Sequence, residues 1–91
     1  MRLPRSYTKP GGYRVVVKLV SPETIRALNG NYEHGPKASY SLWVWDQDDG
    51  GTIYLDRTRT LKQRAADFEH EDGHAQTEWR TWWRRRAGLF D

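Results

Sequence analysis

The chain has no cysteine among its 91 residues. This absence excludes a disulfide framework, a catalytic thiol and a thiolate metal site, so any bound metal must be held by nitrogen and oxygen atoms. It also fits a reducing compartment.

Long apolar runs and several familiar ligand loops are missing as well. Because residues 1–12 are charged and contain proline without an apolar stretch, we expect neither a signal peptide nor a membrane-spanning helix, and we expect a cytoplasmic location. The glycine pairs at 11–12 and 50–51 match no phosphate-binding loop. The acidic run at 46–49 lacks the closing glutamate of a calcium loop and is typical of a turn.

What the chain does have is aromatic side chains and a modest positive charge. Five Trp and five Tyr can supply much of the buried area of a small domain, because one aromatic side chain buries about 150–250 Å². The net charge of +3 is low for a dedicated nucleic-acid binder.

The order of the segments predicts an α+β fold in one domain over residues 13–91, preceded by a flexible arm at residues 1–12. We expect a small, mostly antiparallel sheet of about three strands, packed against one long C-terminal helix, with one short helix after the first strand. The expected elements are strands at 13–20, 39–47 and 52–56, a short helix at 22–28 and a long helix from 61 to about 86.

Local capping signals set the helix boundaries in this prediction. Ser21 followed by Pro22 is typical of a helix start. Thr60 with Gln63 three residues later forms a capping-box pattern, and Gly88 is placed to end the long helix.

The most informative motif lies inside that long helix, where His70, Glu71 and His74 form an H-E-x-x-H pattern. Residues four apart lie on one helical face, so the two imidazoles can share a metal ion while the carboxylate between them reaches a water. This arrangement is typical of a zinc hydrolase.

The apolar side chains of the helix recur at helical spacing and form one stripe, which we expect to pack on the sheet. They are Leu61, Ala65, Phe68, Ala75, Trp79 and Trp82. At about 100° per residue, His70 and His74 project away from that stripe, where a cleft is expected. Asp72 falls on the stripe itself, so its carboxylate must be paired or solvated.

The segment from Thr52 to His74, TIYLDRTRTLKQRAADFEHEDGH, resembles the core of the minimal zincin metallopeptidases, especially the small phage and bacterial ones of the ImmA/IrrE type. The resemblance covers about a quarter of the chain. It implies that His70 and His74 are ligands of Zn²⁺, that Glu71 is the general base and that the reaction is peptide hydrolysis.

The third metal ligand stays open between three residues. Glu78 lies one turn beyond His74, but it is about 12 Å along the axis from His70, so orienting His74 is its less strained role. Asp91 and His34 are the other candidates. A metzincin is excluded, because no third histidine follows His74 at the required spacing.

Two alternatives compete with a metallopeptidase acting on a peptide or protein substrate. One is a catalytically inactive zincin-like protein that acts as an interaction partner or modulator. The other is a small binding module for nucleic acid or an acidic partner, built on the segment WRTWWRRR at 79–86. Because Trp79 and Trp82 lie on the apolar stripe, the candidate contact residues there are Arg80, Trp83, Arg84, Arg85 and Arg86.

Overall fold

The computed structural model describes residues 2–29 and 40–88, and within them the chain forms an α+β fold. A mixed sheet is combined with one short helix and one long helix. In chain order the elements are β1 (Ser6–Lys9), β2 (Tyr13–Val20), α1 (Pro22–Asn29), β3 (Ser41–Gln47), β4 (Gly50–Asp56) and α2 (Leu61–Arg86).

The sheet differs from the prediction in strand number and in direction. Its order is β1-β2-β4-β3, with β1–β2 and β3–β4 antiparallel and the central β2–β4 pair parallel. The expectation of about three mostly antiparallel strands was therefore wrong in both respects. Because α1 and β3 intervene between β2 and β4, the chain has the length that a parallel crossover requires.

Strand β1 lies inside the segment that was predicted to be a flexible arm. Residues 6–9 pair with β2 in register from Ser6↔Val16 to Lys9↔Tyr13. The turn between them uses Gly11 and Gly12 at φ 90° and 94°, a backbone region that glycine adopts readily. Residues 6–9 of the predicted arm are therefore part of the sheet.

Both helix starts follow the capping signals. The Thr24 amide donates to Ser21 Oγ at 3.2 Å. At α2 the Gln63 amide donates to Thr60 Oγ1 at 3.2 Å, and the Thr60 amide donates to Gln63 Oε1 at 3.0 Å, which completes the capping box. Gly88, at φ 70°, follows the last turn of α2.

The core lies between α2 and one face of the sheet. Alternate residues of β2 and β4 point to that face, where they meet the apolar stripe of the helix. Its buried members are Tyr13, Val15, Ile53, Leu55, Ala75 and Trp82. Phe68 and Trp79 of the predicted stripe pack against this cluster, partly buried.

Strands β3 and β4 approach each other closely at Gly51. A Cβ at this position would lie 2.6 Å from the Trp43 ring, so the missing side chain lets the indole lie over β4. The sequence had placed Gly50 and Gly51 in the turn, whereas both belong to β4.

Among the described residues, neither helix combines the length and apolar composition that crossing a bilayer requires.

Candidate metal centre

The two histidines of the motif lie side by side on an exposed flank of α2. Their Nε2 atoms are 3.3 Å apart, and their rings meet nearly edge to face at 84°. With Zn–N bonds of about 2.0–2.1 Å and tetrahedral angles, two ligand nitrogens lie about 3.3–3.4 Å apart. The pair thus has the spacing of two zinc ligands, and the same spacing also allows an N–H···N hydrogen bond.

Glu71 faces inward, unlike the two histidines. It is 6 % exposed, and its Oε2 accepts a hydrogen bond from the hydroxyl of Ser41 at the start of β3. One ligand atom from each of His70, Glu71 and His74 lies within 4.8 Å of the others. The structure therefore brings together the three residues that the sequence singled out.

Ser41 is the site residue that sequence reasoning missed. It belongs to the face of β3 that also carries Trp43 and Trp45, and it is the polar member of that set. Because a buried hydroxyl needs a hydrogen-bond partner, Ser41 could have been predicted to contact a polar side chain such as a carboxylate of α2.

Asp72 is paired, as its place on the apolar stripe required. It accepts a hydrogen bond from the Tyr7 hydroxyl, and Lys9 Nζ lies 3.6 Å from its Oδ1. Burial, together with the Asp72 carboxylate, raises the pKa of Tyr7 well above its usual range. Because Tyr7 and Lys9 belong to β1, the Asp72 flank of α2 faces one edge of the sheet.

The histidines lie on the solvent-exposed side of α2, on the half nearer the other edge of the sheet. Glu71 contacts β3, and helical geometry places His74 on the same side as Glu71 and away from Asp72. In the strand order β3 is an edge strand, so the cluster lies beside a sheet edge.

The third-ligand candidates do not join the cluster within the described residues. Glu78 lies outside the His70, Glu71 and His74 group. It lies instead near Tyr13, whose pKa is raised to about 12 by burial and, to a smaller extent, by the Glu78 carboxylate. His34 and Asp91 fall outside the described residues. The two imidazole nitrogens are ligand atoms that suit zinc, and the Glu71 carboxylate lies beside them.

The second predicted surface, at the end of α2, is partly core and partly exposed. Trp82 is buried against Tyr13, with ring centroids 5.1 Å apart, and Trp79 donates from Nε1 to the Pro10 carbonyl at 2.9 Å. Trp83 is 42 % exposed and stacks on Trp79 with centroids 6.3 Å apart.

The arginines around Trp83 are exposed to solvent. They are Arg80, Arg84, Arg85 and Arg86, and none of them forms an ion pair with another described residue. Arg86 lies over the Trp82 ring at 4.8 Å.

No protein-family model matches the chain, and comparisons with curated proteins and with solved structures also give no match. The zincin resemblance therefore rests on the sequence pattern and on the geometry of the cluster.

Proposed function

We propose that this protein is a zinc-dependent metallopeptidase in which His70 and His74 hold Zn²⁺ and Glu71 is the general base. The observation that carries the proposal is the 3.3 Å separation of the two Nε2 atoms, with a carboxylate oxygen of Glu71 within 4.8 Å of both. Two nitrogens at zinc-ligand spacing beside a carboxylate supply two of the three protein ligands of a catalytic zinc site and its general base, and His34 and Asp91 are the candidates for the third ligand.

Zinc bound at this pair would acidify a water and polarise a scissile carbonyl. The protein's own contribution is the base and its orientation. Ser41 holds Oε2 of Glu71, whereas Oε1 has no hydrogen bond to another described residue and is the atom that would take a proton from water and pass it to the leaving amine.

A peptide or protein is the substrate class that fits the surroundings of the cluster. β3 is an edge strand beside the histidine flank, and an edge strand can add an extended peptide by backbone hydrogen bonding. Trp45, which is 49 % exposed on β3, offers an apolar contact for a substrate side chain.

The first test is the zinc content of protein purified without a histidine tag. We expect about one zinc per chain, lost in His70→Ala and in His74→Ala, because each change removes one of the two histidine ligands of the proposed site. Glu69→Ala, a change at another exposed position of the same helix, is the matched control and should keep the metal. Weak zinc binding that His70→Ala leaves unchanged would contradict the site.

The second test separates an enzyme from an inactive relative. Glu71→Gln keeps an acceptor for Ser41 and removes the base, so it should retain zinc and lose at least about 100-fold in peptide hydrolysis. Glu69→Gln is the control. Zinc without hydrolysis in the unmodified chain would favour the inactive zincin-like interaction or modulator protein.

A second candidate function rests on Trp83 and on the exposed residues Arg80, Arg84, Arg85 and Arg86, which form no ion pair with another described residue. An exposed indole next to guanidinium groups can stack on an unpaired base while the arginines contact phosphates. Titration of a fluorescent single-stranded oligonucleotide tests this function. Trp83→Ala should weaken binding at least tenfold, whereas the similarly exposed Trp45→Ala should not. Equal effects of the two changes would contradict a dedicated surface at the helix end.

A further inference from the structure

A cavity of about 210 Å³ lies between the N-terminal segment, β2 and the first turns of α2. It shares no residue with the histidine cluster. Its lining residues come from three separate parts of the chain and are Arg2, Leu3, Pro4, Arg5, Val17, Leu19, Leu61 and Arg64.

The charge of the lining has one sign. Three of the lining residues are arginines and none is acidic. Within the part of the chain that the structure describes, Arg2, Arg5 and Arg64 form no ion pair. Arg64 is the most constrained of the three, because its Nε is buried without a hydrogen-bond partner. The Arg64 side chain is therefore held partly inside the protein at the wall of the cavity.

The remaining lining is apolar and open to solvent. Leu19 is 49 % exposed and Leu61 is 57 % exposed, which is high for leucine side chains that border the same cavity. An apolar cavity of about 150 Å³ can bind benzene, so the present volume suits one ring or a short alkyl chain. Ligand pockets for larger molecules usually have about 300–1,000 Å³.

We propose that this cavity binds a small amphipathic anion, namely a carboxylate or phosphate group attached to a short apolar chain. The anionic group would be held by Arg2, Arg5 and Arg64, since guanidinium groups pair with both kinds of oxyanion. The apolar chain of the ligand would lie against Leu19 and Leu61 and cover apolar protein surface that is now exposed.

The test is a series of NMR titrations with probes that distinguish the contribution of the anionic head group from that of the alkyl chain. Hexanoate and hexyl phosphate carry both parts, acetate and inorganic phosphate carry only the anion, and hexylamine carries the chain with the opposite charge. We expect saturable binding of hexanoate, hexyl phosphate or both, with shifts concentrated at Val17, Leu19 and Leu61. The probe that binds better identifies the head group. Acetate, phosphate and hexylamine should bind at least tenfold more weakly.

Matched arginine variants connect this binding to the cavity. Arg64→Met keeps the apolar stem and removes the charge, and it should weaken the better probe at least tenfold. Arg14→Met, at an exposed arginine of β2 that is not part of the lining, should leave binding unchanged. Leu19→Ala removes a contact with the alkyl chain of the ligand and should weaken binding several-fold. It therefore tests the cavity even if Arg64→Met fails to fold.

Three outcomes would overturn the proposal. Hexylamine binding as tightly as hexanoate would mean an apolar hollow without anion selectivity. Shifts scattered over the whole surface would mean non-specific association. Unchanged affinity in both a folded Arg64→Met protein and Leu19→Ala would place the binding elsewhere.

Discussion

At the scale of single residues, two adjacent carboxylates on α2 have different partners. Glu71 accepts from Ser41 on β3, whereas Asp72 accepts from Tyr7 and lies near Lys9 on β1. Successive helical residues point about 100° apart, so neighbours in sequence can reach opposite edges of the sheet. The same geometry leaves the histidines exposed while the carboxylate between them is buried.

The Ser41–Glu71 hydrogen bond should stabilise the fold without holding the metal. Ser41→Ala removes the donor and leaves a buried carboxylate with one partner fewer, which should lower the free energy of unfolding by about 1–3 kcal/mol. Zinc should be retained, because both histidines are untouched, while any peptide hydrolysis should fall several-fold. Urea unfolding and metal analysis check this, with the exposed Ser6→Ala as control. Loss of zinc from a folded Ser41→Ala protein would contradict the separate roles.

Asp56, at the end of β4, gives a prediction about pH. Burial alone would raise its pKa, but hydrogen bonds from the Thr58 hydroxyl at 2.6 Å and the Thr58 amide at 2.8 Å, with Arg59 and Arg26 nearby, hold the pKa below its usual value. Since the folded-state pKa is the lower one, the stabilisation is complete above the unfolded value of about 3.9 and is lost as pH falls through the folded value.

Asp56→Asn should therefore lower the free energy of unfolding by about 1 kcal/mol at pH 7, and the difference from the unmodified chain should shrink below about pH 4. Urea unfolding of both proteins at pH 7 and at pH 3 measures the difference in free energy of unfolding at each pH. Asp48→Asn, in the exposed β3–β4 turn, should have little effect at pH 7. A deficit of equal size at both pH values would mean that the charge of Asp56 does not contribute.

At the scale of elements, the sequence predicted what local chemistry determines. The start of α2 at Thr60 with Gln63 and its end before Gly88 are confirmed, because caps involve neighbours within one or two turns. Strand β1 was missed because four residues between turns give a weak pattern. The parallel register Val16↔Thr52 joins strands far apart in sequence, and no local signal specifies it.

Two glycines at different elements should respond in opposite directions to alanine. Gly51→Ala forces a Cβ against the Val44 carbonyl oxygen of β3 and to 2.6 Å from the Trp43 ring, and it should lower the free energy of unfolding by about 1–3 kcal/mol. Gly73→Ala, within α2, has open space around the new Cβ and should raise it by about 0.5–1 kcal/mol through helix propensity. Thermal unfolding of both variants checks the contrast. A stabilised Gly51→Ala protein would mean that β3 and β4 do not approach as closely as described.

At the scale of the whole molecule, α2 is held from both edges of the sheet, and this explains what the sequence could and could not predict about the site. The pairing of His70 with His74 follows from helical spacing alone. The partners of Glu71 and Asp72 depend on which strands occupy the two edges, and that order requires the full topology.

The two flanks of α2 should therefore behave independently, and a double-mutant cycle measures this. Tyr7→Phe and Asp72→Ala remove the two ends of one hydrogen bond, so their effects on the free energy of unfolding should be coupled by about 0.5–3 kcal/mol. Zinc affinity should be the same in the unmodified chain, both single variants and the double variant, because Asp72 faces β1 and the histidines lie on the β3 side. If Asp72→Ala weakens zinc binding tenfold without unfolding the protein, Asp72 belongs to the metal centre and the separation of the two flanks is wrong.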